Sequence, residues 1–127
     1  MFRIVCVFFI SIVSFSAFSM EECSVHKSLS EIYQCEKFAY EKSMDNLDKI
    51  YGSLISSVEA IPEYKESITL SQEQWNKTVK SDCANYSYFI EEGSITYDIE
   101  NLHCLTFKVD QRNEYLLKLL SRAKDFL

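Results

Sequence analysis

Apolar side chains recur every three or four residues through most of this chain. Tyr40, Met44, Leu47, Tyr51, Leu54 and Val58 are spaced 4, 3, 4, 3, 4, the seam of a helix that packs along its whole length. Ile61-Pro62 ends that helix, because proline disfavours helical geometry in the residue before it. Tyr64, Ile68, Ser71, Trp75, Val79, Cys83, Tyr86 and Ile90 continue the spacing and predict a second helix, stopped by Gly93-Ser94. Leu102, Leu105, Val109, Leu116, Leu120 and Ala123 predict a third, running to the C-terminus. Two glycines and one proline in 127 residues leave few places to turn. Short connections between long amphipathic helices favour antiparallel neighbours. The expectation is all-α: one antiparallel bundle of three to four helices over residues 20–127, the fourth being a short helix near Ser28 to Cys35.

The first 19 residues break the pattern. Arg3 gives a short positive region, Ile4 to Phe15 is almost wholly apolar, and Ala17 and Ser19 place small residues at −3 and −1 of a cleavage site. That is the layout of a secretory signal peptide, 1–19. The apolar run is shorter than the roughly 20 residues of a spanning helix, and acidic residues follow at once. No lipoprotein triplet precedes Cys23. The expected location is periplasmic or secreted, with no stable membrane anchor after cleavage.

Export changes the meaning of the cysteines. With Cys6 removed, Cys23, Cys35, Cys83 and Cys104 remain, and an even number in an exported chain reads as disulfides, in one of three connectivities. It also changes the charge: without Arg3, 12 Lys+Arg face 19 Asp+Glu, a net charge of −7. An acidic surface argues against nucleic acid and anionic membranes and suits a cationic protein partner. Catalytic signatures are absent: no Gly-x-Ser-x-Gly, no phosphate loop, no His-Glu-x-x-His. His26 and His103 each lie near a cysteine, but their spacing matches no familiar zinc module. No metal, cofactor or catalytic residue is expected, and the protein is not read as an enzyme.

Cys23 and Cys35, then Leu47-Asp48-Lys49-Ile50-Tyr51 with Leu54, then Gln72, Gln74 and Trp75 with Cys83 eight residues on, then Gly93-Ser94-Ile95, then Cys104 with Arg112 eight residues on, form an ordered series. In that order and spacing the chain resembles the LprI-type lysozyme-inhibitor family of small exported bacterial helical proteins, from Cys23 to about Leu120. Asp48 stands where the family usually has Asn, Val79-Lys80 where it has Arg-Asp, and Val109 where it has Thr. The departures at 79–80 imply loss of a buried Arg–Asp link common in the family. The resemblance implies a binder that inhibits lysozyme, a strongly cationic enzyme; the alternative is an envelope-associated structural or interaction protein with no lysozyme target.

The expected pairs are Cys23–Cys35 and Cys83–Cys104. In one straight helix Cys23 and Cys35 would lie roughly 18 Å apart, whereas a disulfide needs Cα atoms within about 7 Å. A Cys23–Cys35 bond therefore requires the chain to fold back before the helix. Cys83, ending the second helix, and Cys104, beginning the third, suit a bridge across the Gly93 turn. Trp75, on the apolar stripe with Ile68 and Val79, is expected in the core. The turn Glu91-Glu92-Gly93-Ser94, with Asp98 and Glu100, is the candidate partner-binding segment, since loops held by rigid scaffolds are where binding residues tend to lie.

Overall fold

The computed structural model describes residues 23–25 and 28–127; the expected signal peptide and His26 lie outside the described residues. Three long helices account for most of these residues: α1 (Leu29–Ser57), α2 (Pro62–Tyr86) and α3 (Ile95–Phe126). A 3-10 turn at Cys23–Val25 precedes them.

Local sequence sets where each helix starts. Ser28 caps α1 by accepting from the Glu31 N–H, while the Glu31 carboxylate accepts from the Ser28 N–H at 3.1 Å. This reciprocal capping box starts one continuous helix at the position where a separate short helix was expected. Pro62 opens α2, where its missing N–H is harmless. Ser94 caps α3 by accepting from Tyr97.

Contacts along the helices give the topology. Glu36 meets His103, Ser43 meets Asp110, and Asn113 donates to the Ser43 carbonyl. The sequence offsets of 67, 67 and 70 are nearly constant, so α1 and α3 run parallel. Asp82–Lys108 and Gln72–Arg112 set α2 antiparallel to α3. The up-down-up order makes sequential neighbours antiparallel, as expected, while the most extensive packing joins the parallel outer pair, α1 and α3.

The core lies where the stripes converge. Leu47, Ile50, Leu54 and Val58 from α1 and its C-cap, Ile68 from α2, and Val109, Leu116 and Ala123 from α3 form the main buried cluster. A smaller cluster of Val79, Cys83 and Cys104 joins α2 to α3. Trp75 packs against both clusters, yet it is only half-buried. Its other side faces outward beneath the Arg112 guanidinium, 5.6 Å from the ring centroid. The expectation of a core tryptophan holds for its position on the stripe and is corrected for its depth.

The end of α2 also differs from expectation. The helix stops at Tyr86, not at Gly93. Asn85, Tyr86, Tyr88 and Phe89 are weak helix formers, and Ser87, the C-cap, is fully buried. The apolar stripe therefore does not continue through Tyr86, which is exposed.

Both disulfides pair as expected. Cys23 and Cys35 are bonded with Cα atoms 5.6 Å apart, the 3-10 turn folding back onto α1. Cys83 and Cys104 are bonded at the same Cα separation. Cys83 lies one turn before the end of α2, whereas Cys104 lies nine residues into α3. The first turns of α3 thus extend about 13 Å beyond the staple.

Candidate functional site

Between Lys80 and Lys108 the chain carries no lysine or arginine and five carboxylates: Asp82, Glu91, Glu92, Asp98 and Glu100. The fold gathers this stretch at one end of the bundle, as the last turn of α2, the 87–94 connection and the first turns of α3. The Cys83–Cys104 bond closes it into a ring.

The connection is built from tight turns. The Ser87 N–H donates to the Cys83 carbonyl at 3.1 Å, the Tyr88 N–H to Asn85 at 3.3 Å, and the Ile90 N–H to Ser87 at 3.0 Å. Ser94 then donates twice to the Glu91 carbonyl, through its N–H at 3.2 Å and its hydroxyl at 2.7 Å. Between them Gly93 has φ +84°, a left-handed conformation that penalises any Cβ. Space is not the constraint, since a Cβ at Gly93 would meet nothing within 4 Å. Gly93→Ala is therefore expected to lower stability by about 1–2 kcal/mol through backbone conformation alone, measured by chemical denaturation.

Glu91, Glu92 and Gly93 are exposed, and Ser94 is half-buried by its capping role. Asp98 is exposed in the first turn of α3, where a carboxylate complements the helix dipole. Glu100 is half-buried, and two residues along a helix is a rotation of roughly 200°. The structure thus groups Glu91, Glu92 and Ser94 in one turn and does not bring Glu100 to the Asp98 side of α3.

Two polar constellations escaped the hydrophobic reading. Glu36, buried on α1, lies with Oε1 3.2 Å from His103 Nδ1, a polar contact across the α1–α3 seam. The second is a cleft of about 250 Å³ between α2 and α3, walled by Trp75, Val79, Lys108, Arg112 and Tyr115. Arg112 Nε donates to Gln72 Oε1 at 2.9 Å and Nη2 to Ser71 Oγ at 3.2 Å. Its guanidinium lies 5.1 Å from the Tyr115 ring centroid as well as over Trp75, at cation–π distance. Burial lowers the Arg112 pKa from its ordinary value, opposed by the nearby Tyr115 and Tyr51 hydroxyls; the group remains a cation at physiological pH. Its hydrogen-bond partners are neutral. Lys108 closes the row by donating to Asp82 at 3.2 Å. These contacts tie α2 to α3 below the acidic end.

A larger open depression of about 470 Å³ runs along the start of α2, past Glu59, Glu66 and Glu73. Lys65 there is already paired with Glu59 at 2.7 Å. Among the described residues no group of three or more His, Cys, Asp or Glu is placed to hold a metal ion. No described helix is long and apolar enough to cross a membrane.

No curated protein and no solved structure matches the chain significantly. A family model described as lysozyme inhibitor LprI does match, over residues 20–116. That span runs from ahead of the first disulfide, through the 87–94 connection, to the last fully buried leucine of α3. The chain belongs to the LprI lysozyme-inhibitor family.

Proposed function

We propose that this protein is exported, loses residues 1–19, and inhibits a lysozyme by binding it through the disulfide-framed end of the bundle. The observation that carries this reading is the stretch between Lys80 and Lys108, rich in carboxylates and free of lysine and arginine, within a chain of the lysozyme-inhibitor family. Lysozymes are strongly cationic. An acidic binder gains in encounter rate and in complementarity at the rim of the interface. Glu91, Glu92 and Asp98 supply the charge, Glu100 adds to the field from the other side of α3, and the small Gly93-Ser94 tip allows close approach. A loop already held by turns and a crosslink loses less entropy on binding than a free one. Action is by occlusion, not catalysis.

The test is inhibition of lysozyme by the purified, disulfide-bonded protein over a salt series. Inhibition should weaken with salt, because exposed charges are screened within about 10 Å at 0.1 M. Glu91→Lys with Glu92→Lys should reduce inhibition severalfold and leave the melting temperature unchanged, both side chains being exposed. Absence of inhibition at low salt and high protein concentration would refute the assignment and favour an envelope-associated interaction protein without a lysozyme target.

A further inference from the structure

The acidic end also carries an apolar feature that charge does not explain. Phe89 is 96% exposed, Tyr88 74% and Tyr86 59%. The Tyr88 and Phe89 rings stand edge to face with centroids 5.4 Å apart. Phe89 is the most exposed large hydrophobic residue among those described.

This exposure is not that of a frayed segment. Ser87, within the aromatic run, is fully buried, and the backbone on both sides of it is hydrogen-bonded in successive turns. Ile90, just after the run, is half-buried. The chain turns Ser87 inward and so presents Tyr86, Tyr88 and Phe89 outward, four residues from a disulfide that fixes the base of the turn. Exposed Phe and Tyr add nothing to the core, yet aromatic residues are enriched in the buried centres of protein interfaces. Such centres are ringed by polar contacts that exclude water. Glu91 and Glu92 follow Phe89 almost directly and stand in position for that ring.

We infer that Phe89, supported by Tyr88, is the anchor with which this end of the bundle seats in an apolar recess of a cationic protein, with Glu91 and Glu92 as the rim. The inference rests on the proposed lysozyme-binding reading and adds to it a division of labour. The aromatic pair holds the complex together and the carboxylates speed its formation. Charge selects the occupant. A second copy docking through the same patch would bring the carboxylates of both copies together, since a two-fold interface sets a surface against itself. An anionic lipid surface would be repelled for the same reason. A cationic protein surface is attracted, and a concave apolar site on it accommodates a projecting phenyl ring.

Association and dissociation of the full-length disulfide-bonded protein on immobilised lysozyme separate the two roles. Phe89→Ala should weaken binding about 10–100-fold, mainly by faster dissociation. The ratio to wild type should be the same at about 50 mM and 300 mM salt. Phe89→Trp, which keeps a large aromatic, should retain most of the affinity. Glu91→Gln with Glu92→Gln should instead slow association, by a factor that shrinks as salt rises. Phe126→Ala is the control: it removes another exposed ring, at the far end of α3 roughly 45 Å away, and should bind as wild type. If wild type binds and Phe89→Ala binds equally well, the anchor is refuted while the proposed function stands. If wild type does not bind lysozyme at low salt, both fall. Unchanged thermal melting of Phe89→Ala assigns any loss to the interface.

Discussion

Leu116→Ala is expected to lower the stability of the protein by about 3–5 kcal/mol, near the top of the range for buried leucines. Leu116 is fully buried on α3, in the cluster built from all three helices and the C-cap of α1. One turn before it, Asn113 donates to the Ser43 carbonyl across the α1–α3 seam. Rigid helices on two sides leave the cavity little room to collapse. The loss combines the transfer term for the deleted carbons with the unfilled space. For a domain of this size it corresponds to a fall in melting temperature of more than about 10 °C. Leu117→Ala is the internal control. The next residue on the same helix is half exposed, and its truncation should change stability by less than about 1 kcal/mol. Urea titration followed by circular dichroism distinguishes the two. Equal, small effects would mean that the α1–α3 seam is not the main core.

The helices themselves were legible in the sequence because their apolar residues keep a helical period over many turns. Leu47, Leu54, Val58, Ile68, Val79, Val109, Leu116 and Ala123, all on the expected stripes, are buried. The gaps in those stripes were informative in a way periodicity alone does not reveal. Between Val109 and Leu116 the seam position is Asn113, and one step before Tyr40 it is Glu36. Both are polar and both are buried, because each has a partner on the opposite helix of the parallel pair. Such pairings depend on the register between helices some seventy residues apart in sequence. A one-dimensional pattern does not encode that register.

The candidate site was legible in place but not in composition. Gly93-Ser94 marked the turn. In the structure Gly93 takes the left-handed φ and Ser94 becomes the N-cap of α3. The aromatic run just before it was hidden by its own spacing. Cys83, Tyr86 and Ile90 continue the apolar period of α2, so the stripe extended on paper to a helix end at Gly93. The helix ends at Tyr86 with Ser87, its C-cap, fully buried, a tertiary fact with no signature in hydropathy. The depth of Trp75 was likewise not legible. Arg112 from α3 covers its ring, and only the packing of α2 on α3 places it there.

Replacing both Cys83 and Cys104 by alanine is expected to lower stability by about 3 kcal/mol, on loop-entropy accounting for a bond that spans 21 residues. The consequence for binding should be larger than that figure suggests. α1 and α3 are joined by a long shared core, whereas next to the acidic end α2 packs on α3 through a small buried cluster of Val79 and the two cysteines. Removing the crosslink thus also removes part of the packing at the base of the acidic end. The helical core below residue 80 remains intact, so the variant should fold and keep most of its far-ultraviolet circular dichroism. The amides of residues 87–94 should exchange faster, and affinity for lysozyme should drop because an anchor that must be ordered on binding loses part of its advantage. Cys23→Ala with Cys35→Ala provides the contrast. That bond spans 12 residues and fastens the 3-10 turn to α1. Its loss should give a comparable fall in stability, again about 3 kcal/mol, with exchange at residues 87–94 unchanged. Equal protection of the 87–94 amides in both double variants would show that the turns and the cap, rather than the crosslink, hold the binding end in shape.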